Sequence, residues 1–156
     1  MVLRAKGNIN ALIILYMYAR IIVGSVMAVA MLLCVSSCGN RESKAEYFKR
    51  VSQQYTESNC PSRFPDGITT LDSLVFDDSD ATGTQVLYYT LEVDSAMRQL
   101  VLEKKDELTQ ENLNFVRNSV VFAKQKEQGV RFRFVYHDAA MKDKIIECTY
   151  TKEDYQ

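Results

Sequence analysis

Val130-Arg131-Phe132-Arg133-Phe134-Val135-Tyr136 is the stretch that decides the fold. Side chains alternate across a strand, so Val130, Phe132, Phe134 and Tyr136 point one way and Arg131, Arg133 and Val135 the other. An aromatic face backed by a cationic one describes a strand laid on a core. His137 to Asp143 turns the chain, and Lys144-Ile145-Ile146-Glu147-Cys148-Thr149-Tyr150-Thr151 reads as the last strand. Consecutive strands with a short link pair antiparallel, so this end of the chain is a hairpin.

The same reasoning works upstream. Thr69 to Asp77 and Thr84 to Val93 are rich in β-branched and aromatic residues, with a polar link ending in Gly83 between them. They form a second hairpin with a longer loop. Ser62-Arg63-Phe64-Pro65-Asp66-Gly67 reads as a turn or loop. Before it, Ser43-Lys44-Ala45-Glu46 is a capping box. Tyr47, Phe48, Val51 and Tyr55 then form one helical stripe over about residues 44–58, and Asn59-Cys60-Pro61 ends it.

Between the hairpins, Thr109 is a candidate N-cap, with Leu108 and Leu113 at the positions of a hydrophobic staple. Leu113, Val116, Val120 and Ala123 make a stripe, and Gly129 closes the helix. Residues 95–108 fit either a helix, through Met97, Leu100, Val101 and Leu108, or an extended strand. The order α-β-β-α-β-β predicts an α+β domain with a four-stranded antiparallel sheet covered by helices. In outline this resembles the cystatin-like and related helix-on-sheet lipoprotein domains.

The N-terminal part has a different character. Residues 1–37 hold Arg4, Lys6 and Arg20 and no acidic residue, and Ile21 to Val35 is an apolar run. A cationic start, an apolar run and small residues at a cut site form the layout of a secretory signal. Val35-Ser36-Ser37-Cys38 resembles the lipobox of bacterial lipoproteins. That resemblance implies cleavage before Cys38, fatty acylation of its thiol, and attachment to a membrane. Met17-Tyr18-Ala19-Arg20 makes a more ordinary signal start than Met1. The competing reading is an uncleaved anchor, which needs about 20 apolar residues, more than this run supplies. Gly39 stands where an inner-membrane retention aspartate would stand in the enteric lipoproteins, so the resemblance implies the outer membrane. Glu42 is a weak counterpart of the acidic patch that Bacteroidota-type lipoproteins use for surface export. The domain plan is a signal at 1–37, a flexible tether at 38–43 and one domain at 44–156.

Losing residues 1–37 takes the net charge from −1 to −4 by removing three cations. That argues against nucleic acid as a partner. Of four cysteines, Cys34 leaves with the signal and Cys38 is the lipidation residue. Cys60 and Cys148 remain, as a candidate disulfide worth about 4–5 kcal/mol by loop entropy, or as two buried thiols. Asn59-Cys60-Pro61 has no Cys-x-x-Cys spacing to suggest redox work.

The search for chemistry yields little. Asp78-Ser79-Asp80-Ala81-Thr82-Gly83 looks like the front of a calcium loop, but the twelfth position is Tyr89 where a glutamate is needed. A solvated turn explains it better. The aromatic and arginine alternation at 131–136 resembles an RNA-binding strand, yet core packing accounts for it. Arg131 and Arg133 could form an anion-binding face. His137 is the single histidine and has no nucleophile motif near it. No cofactor or metal is expected. The chain therefore reads as a membrane-tethered binding or structural module with a protein or envelope-component partner. The alternative is a small envelope hydrolase with an unrecognised site.

Overall fold

The structure, a computed structural model, describes residues 42–156. The expected signal segment, the alternative start at Met17 and the lipobox-like stretch at 35–38 lie outside the described residues. The elements are α1 (Lys44–Asn59), β1 (Ser62–Arg63), β2 (Thr69–Asp77), β3 (Thr84–Leu91), α2 (Ser95–Glu103), α3 (Lys105–Asn118), α4 (Ala123–Glu127), β4 (Arg131–Asp138), β5 (Lys144–Tyr150) and α5 (Lys152–Tyr155).

The α+β class stands, but the sheet differs from the expected one. It has five strands in the order β1-β2-β3-β4-β5, and β3 and β4 run parallel. The remaining pairs are antiparallel. The four-stranded antiparallel sheet expected from the α-β-β-α-β-β order, cystatin-like in outline, is not formed. The cause is the connection. α2, α3 and α4 fill the link from Leu91 to Arg131, and a helical crossover returns the chain to the end where β3 began. β1 is only two residues long, pairing Ser62 with Leu71 and Arg63 with Thr70, in a segment that reads as loop.

Register sets the core. Phe76, Gln85, Phe132 and Tyr150 lie in one row across β2 to β5; Leu74, Leu87, Phe134 and Cys148 lie in the next. All eight are buried. The helices pack on this face. α1 brings Phe48 onto Phe76 with ring centroids 5.2 Å apart. α3 brings Phe115 edge-on to Phe134, and α5 brings Tyr155 edge-on to Phe132. Such ring pairs add about 0.5–1.5 kcal/mol each beyond their area burial. Val130, Phe132, Phe134 and Tyr136 are all buried, as the alternation predicts.

α1 begins at its capping box: Ser43 Oγ accepts from the Glu46 amide, and Glu46 accepts from the Ser43 amide. Its buried positions are Phe48 and Ser52, so the inward line is displaced from the expected stripe. Residues 95–103 are helical, with Asp94 accepting from the Met97 amide as N-cap. The expected single helix over 109–128 is two. α3 starts at Lys105 without a side-chain cap and stops at Asn118; α4 follows a turn. Thr109 is inside α3, its hydroxyl donating to the Lys105 carbonyl. Because the helix breaks, Val120 is 69% exposed and not part of a buried stripe.

Candidate functional site

Three regions could carry function: the start of α1 with its neighbouring loop, the open face of the sheet, and α2.

At the first region, Lys44 Nζ donates to the carbonyls of Thr82 and Gln128, each at 3.1 Å. This ties the start of α1 to the β2–β3 loop and to the α4–β4 turn. A groove of about 430 Å³ lies here, with Phe76 in its wall beside Lys44, Asp78 and Thr82. The calcium-like spacing is put to another use. Asp80 accepts from the amides of Thr82 and Gly83 and pairs with Arg131. The Gly83 amide is the main cause holding its carboxyl below the usual range. Asp77 accepts from the Ser79 amide, and Asp78 pairs with Lys49 at 2.7 Å. Among the described residues, no group of three His, Cys, Asp or Glu side chains could hold a metal.

The second face of the sheet holds Val75, Val86, Arg133 and Thr149 in one row, and Ser73, Tyr88, Val135 and Glu147 in the next. Val135, placed by its alternation on the cationic side, is nevertheless buried, as is Val86. Tyr88 stacks on His137 at 6.2 Å, and the Nε atoms of Arg131 and Arg133 are buried. The two arginines, candidates for anion binding, are each matched to a carboxylate. Arg131 pairs with Asp80, and Arg133 Nε lies 3.7 Å from Glu147.

α2 is the third region. It buries no side chain, and Met97, Leu100 and Leu102 are each at least 40% exposed. Met141, in the β4–β5 turn, is 65% exposed and touches Arg98 of α2 through its sulfur. Arg98 also reaches Asp138, which accepts from the amides of Ala140 and Met141. These bonds, the Met141 amide first, lower the Asp138 pKa against the opposing effect of burial. The sequence carried the signal for this patch in the spacing of Met97, Leu100 and Val101, without showing that α2 lies outside the core.

Cys60 and Cys148 are both free, which corrects the candidate disulfide. Cys148 sits on edge strand β5, in register with Phe134, Leu87 and Leu74. Cys60 follows α1 and precedes β1 at the opposite edge. Three strand spacings of about 4.8 Å already exceed the roughly 7 Å limit between bonded cysteine Cα atoms. Burial, with the Asp72 charge adding to it, raises the Cys60 pKa, so this thiol is kept protonated. Cys148 instead joins a polar cluster under α3. Thr109 Oγ1 lies 3.2 Å from its sulfur, Tyr150 donates to the Thr109 carbonyl, and Tyr136 donates to Asn112. The lipidation candidate Cys38 lies outside the described residues.

Residues 43–146 match a family described as a domain of unknown function, DUF8479. No curated protein matches the chain. Among solved structures, the fold is similar to that of a Pseudomonas aeruginosa protein inferred to be secreted. The TM-score is 0.61 at 5% identity, covering 72% of this chain and 92% of that one. The pilotin of the Vibrio vulnificus type 2 secretion system is a weaker likeness. Its TM-score is 0.46 at 9% identity, over 72% of this chain and 91% of that one.

Proposed function

The chain belongs to the family of the domain of unknown function DUF8479, and we propose that it is a lipid-anchored, non-enzymatic binding module of the cell envelope. One observation carries this reading: the folded domain begins directly after the lipobox-like cysteine. Ser43 caps α1, and only Gly39, Asn40, Arg41 and Glu42 separate it from Cys38. Glu42 is already engaged, accepting two bonds from Arg50 at 2.8 Å. A signal, an acylated cysteine and a domain in immediate succession suit a protein whose purpose is fulfilled at a membrane surface. The membrane is the outer membrane, by the Gly39 argument. Several acyl chains on one cysteine would hold it stably, where a single chain would not.

The partner is a protein or another envelope component. The exposed apolar side chains of α2 and the β4–β5 turn support a binding role, since isolated apolar residues are ordinary but neighbouring ones mark contact surfaces. Among the described residues no helix is long and apolar enough to cross a membrane. The test is metabolic labelling with an alkyne fatty acid. Wild type incorporates the label and Cys38→Ser does not. An unlabelled wild-type protein rejects the anchor.

A further inference from the structure

We infer that one end of the domain is a lipid-contacting surface: the first turn of α1, the β2–β3 loop and the α4–β4 turn. The inference rests on the proposed acylation of Cys38 and goes beyond it by assigning which residues meet the headgroups.

The argument begins with chain length. A chain spans at most about 3.6 Å per residue. Four steps from Cys38 therefore put Glu42 within about 14 Å of the acylated residue. Glu42 cannot lend further slack, because Arg50 in the second turn of α1 holds it with both guanidinium arms. The capping box then fixes the direction in which the chain enters α1. Lys44 completes the assembly by reaching the carbonyls of Thr82 and Gln128. The two loops are thereby tied to the point where the tether leaves the domain. These loops therefore belong to the end of the domain from which the tether leaves.

The chemistry of this end fits headgroups rather than the acyl region. Three ion pairs are formed in place, Lys49 with Asp78, Arg131 with Asp80 and Arg50 with Glu42, while Lys44 is held by two carbonyls and Glu46 and Asp77 accept from backbone amides. Lys124 lies over the Tyr47 ring at 3.7 Å from its centroid. A surface on which both signs of charge are interspersed and engaged suits zwitterionic headgroups and does not require anionic lipid. It needs little affinity of its own, because the tether supplies a high effective concentration. The large exposed side chains Met97, Leu100 and Met141 are elsewhere. α2 follows β3, at the end of the sheet away from Gly83 and Arg131. They are left for a partner that approaches from the aqueous side.

The experiment uses the mature lipidated protein in phosphatidylcholine vesicles carrying headgroup spin-labelled lipid. A fluorophore is placed at Ala81→Cys or at Met141→Cys, each in a Cys60→Ser background. Intact mass first verifies the acyl chains on Cys38; a protein without them ends both this inference and the reading it rests on. With the chains present, the position-81 probe is quenched several-fold more than the position-141 probe. Inserting about twelve Gly-Ser residues after Asn40 weakens that quenching, because a flexible linker of n residues averages roughly 5–6 Å × √n. Raising the salt leaves it unchanged. Equal quenching at the two positions, or stronger quenching at 141, overturns the inference while leaving the lipid anchor standing.

Discussion

Replacing Phe134 by alanine probes the frame on which everything else is mounted. Phe134 is fully buried on β4, between β3 and β5. Its ring lies 5.8 Å from Tyr150, 6.2 Å from Tyr89 and 6.4 Å from Phe115, so it joins three strands to α3. Truncating a buried phenylalanine costs about 3–5 kcal/mol, and three lost ring contacts place this site near the upper end. Small domains have about 5–15 kcal/mol in all, so the variant should still fold, with little margin. With a urea slope of about 2 kcal/mol/M, its unfolding midpoint falls by about 2 M. The control is Arg133→Ala, one residue away on the opposite face. Its partly exposed pair with Glu147 is worth about 0–1 kcal/mol. Urea melts of the two variants followed by far-UV circular dichroism make the comparison. Equal losses, or a larger loss at Arg133, would refute the assignment of faces.

Other outcomes follow from single sites. Gly83→Ala is destabilising by more than about 1 kcal/mol, because Gly83 has φ +75° and an added Cβ would collide with the Phe76 ring; a thermal melt checks it. Asp138 has a lowered folded pKa, so its contribution is present above the unfolded value of about 3.9 and is lost as pH falls through the folded one. Asp138→Asn should therefore be less stable than wild type at pH 7, with the gap closing toward pH 3; a gap that widens in acid contradicts the account. Reductant should leave the melting temperature unchanged, since Cys60 and Cys148 are free thiols. Thiol titration of folded protein should find Cys60 reactive but slow and Cys148 protected until unfolding.

The strand at 131–138 was legible because alternation on a half-buried strand leaves a period-two record in the sequence. The capping box at Ser43 was legible because it needs specific side chains at fixed spacing. Strand direction leaves no such record. The parallel pairing of β3 and β4 follows from the length of the intervening helices, and Leu91 and Arg131 look the same in either direction. The start of α3 leaves no signal because its N-cap residue, Lys104, makes no side-chain cap, whereas Thr109 within the helix satisfies its hydroxyl on the preceding turn. Two residues, as in β1, are too few for any pattern. Cysteine spacing could not reveal that Cys60 and Cys148 lie at opposite edges of the sheet. Of the candidate sites, Arg131 and Arg133 were identifiable as a cationic pair, but their carboxylate partners Asp80 and Glu147 come from other strands and loops.

Mass spectrometry of the N-terminal tryptic peptide tests the central claim most directly. Protein purified from membranes should yield Cys38-Gly39-Asn40-Arg41 as its first peptide, with the mass of acyl chains on Cys38. A peptide that reads through Ser37 into Cys38, or an unmodified Cys38 at the mature N-terminus, would contradict it.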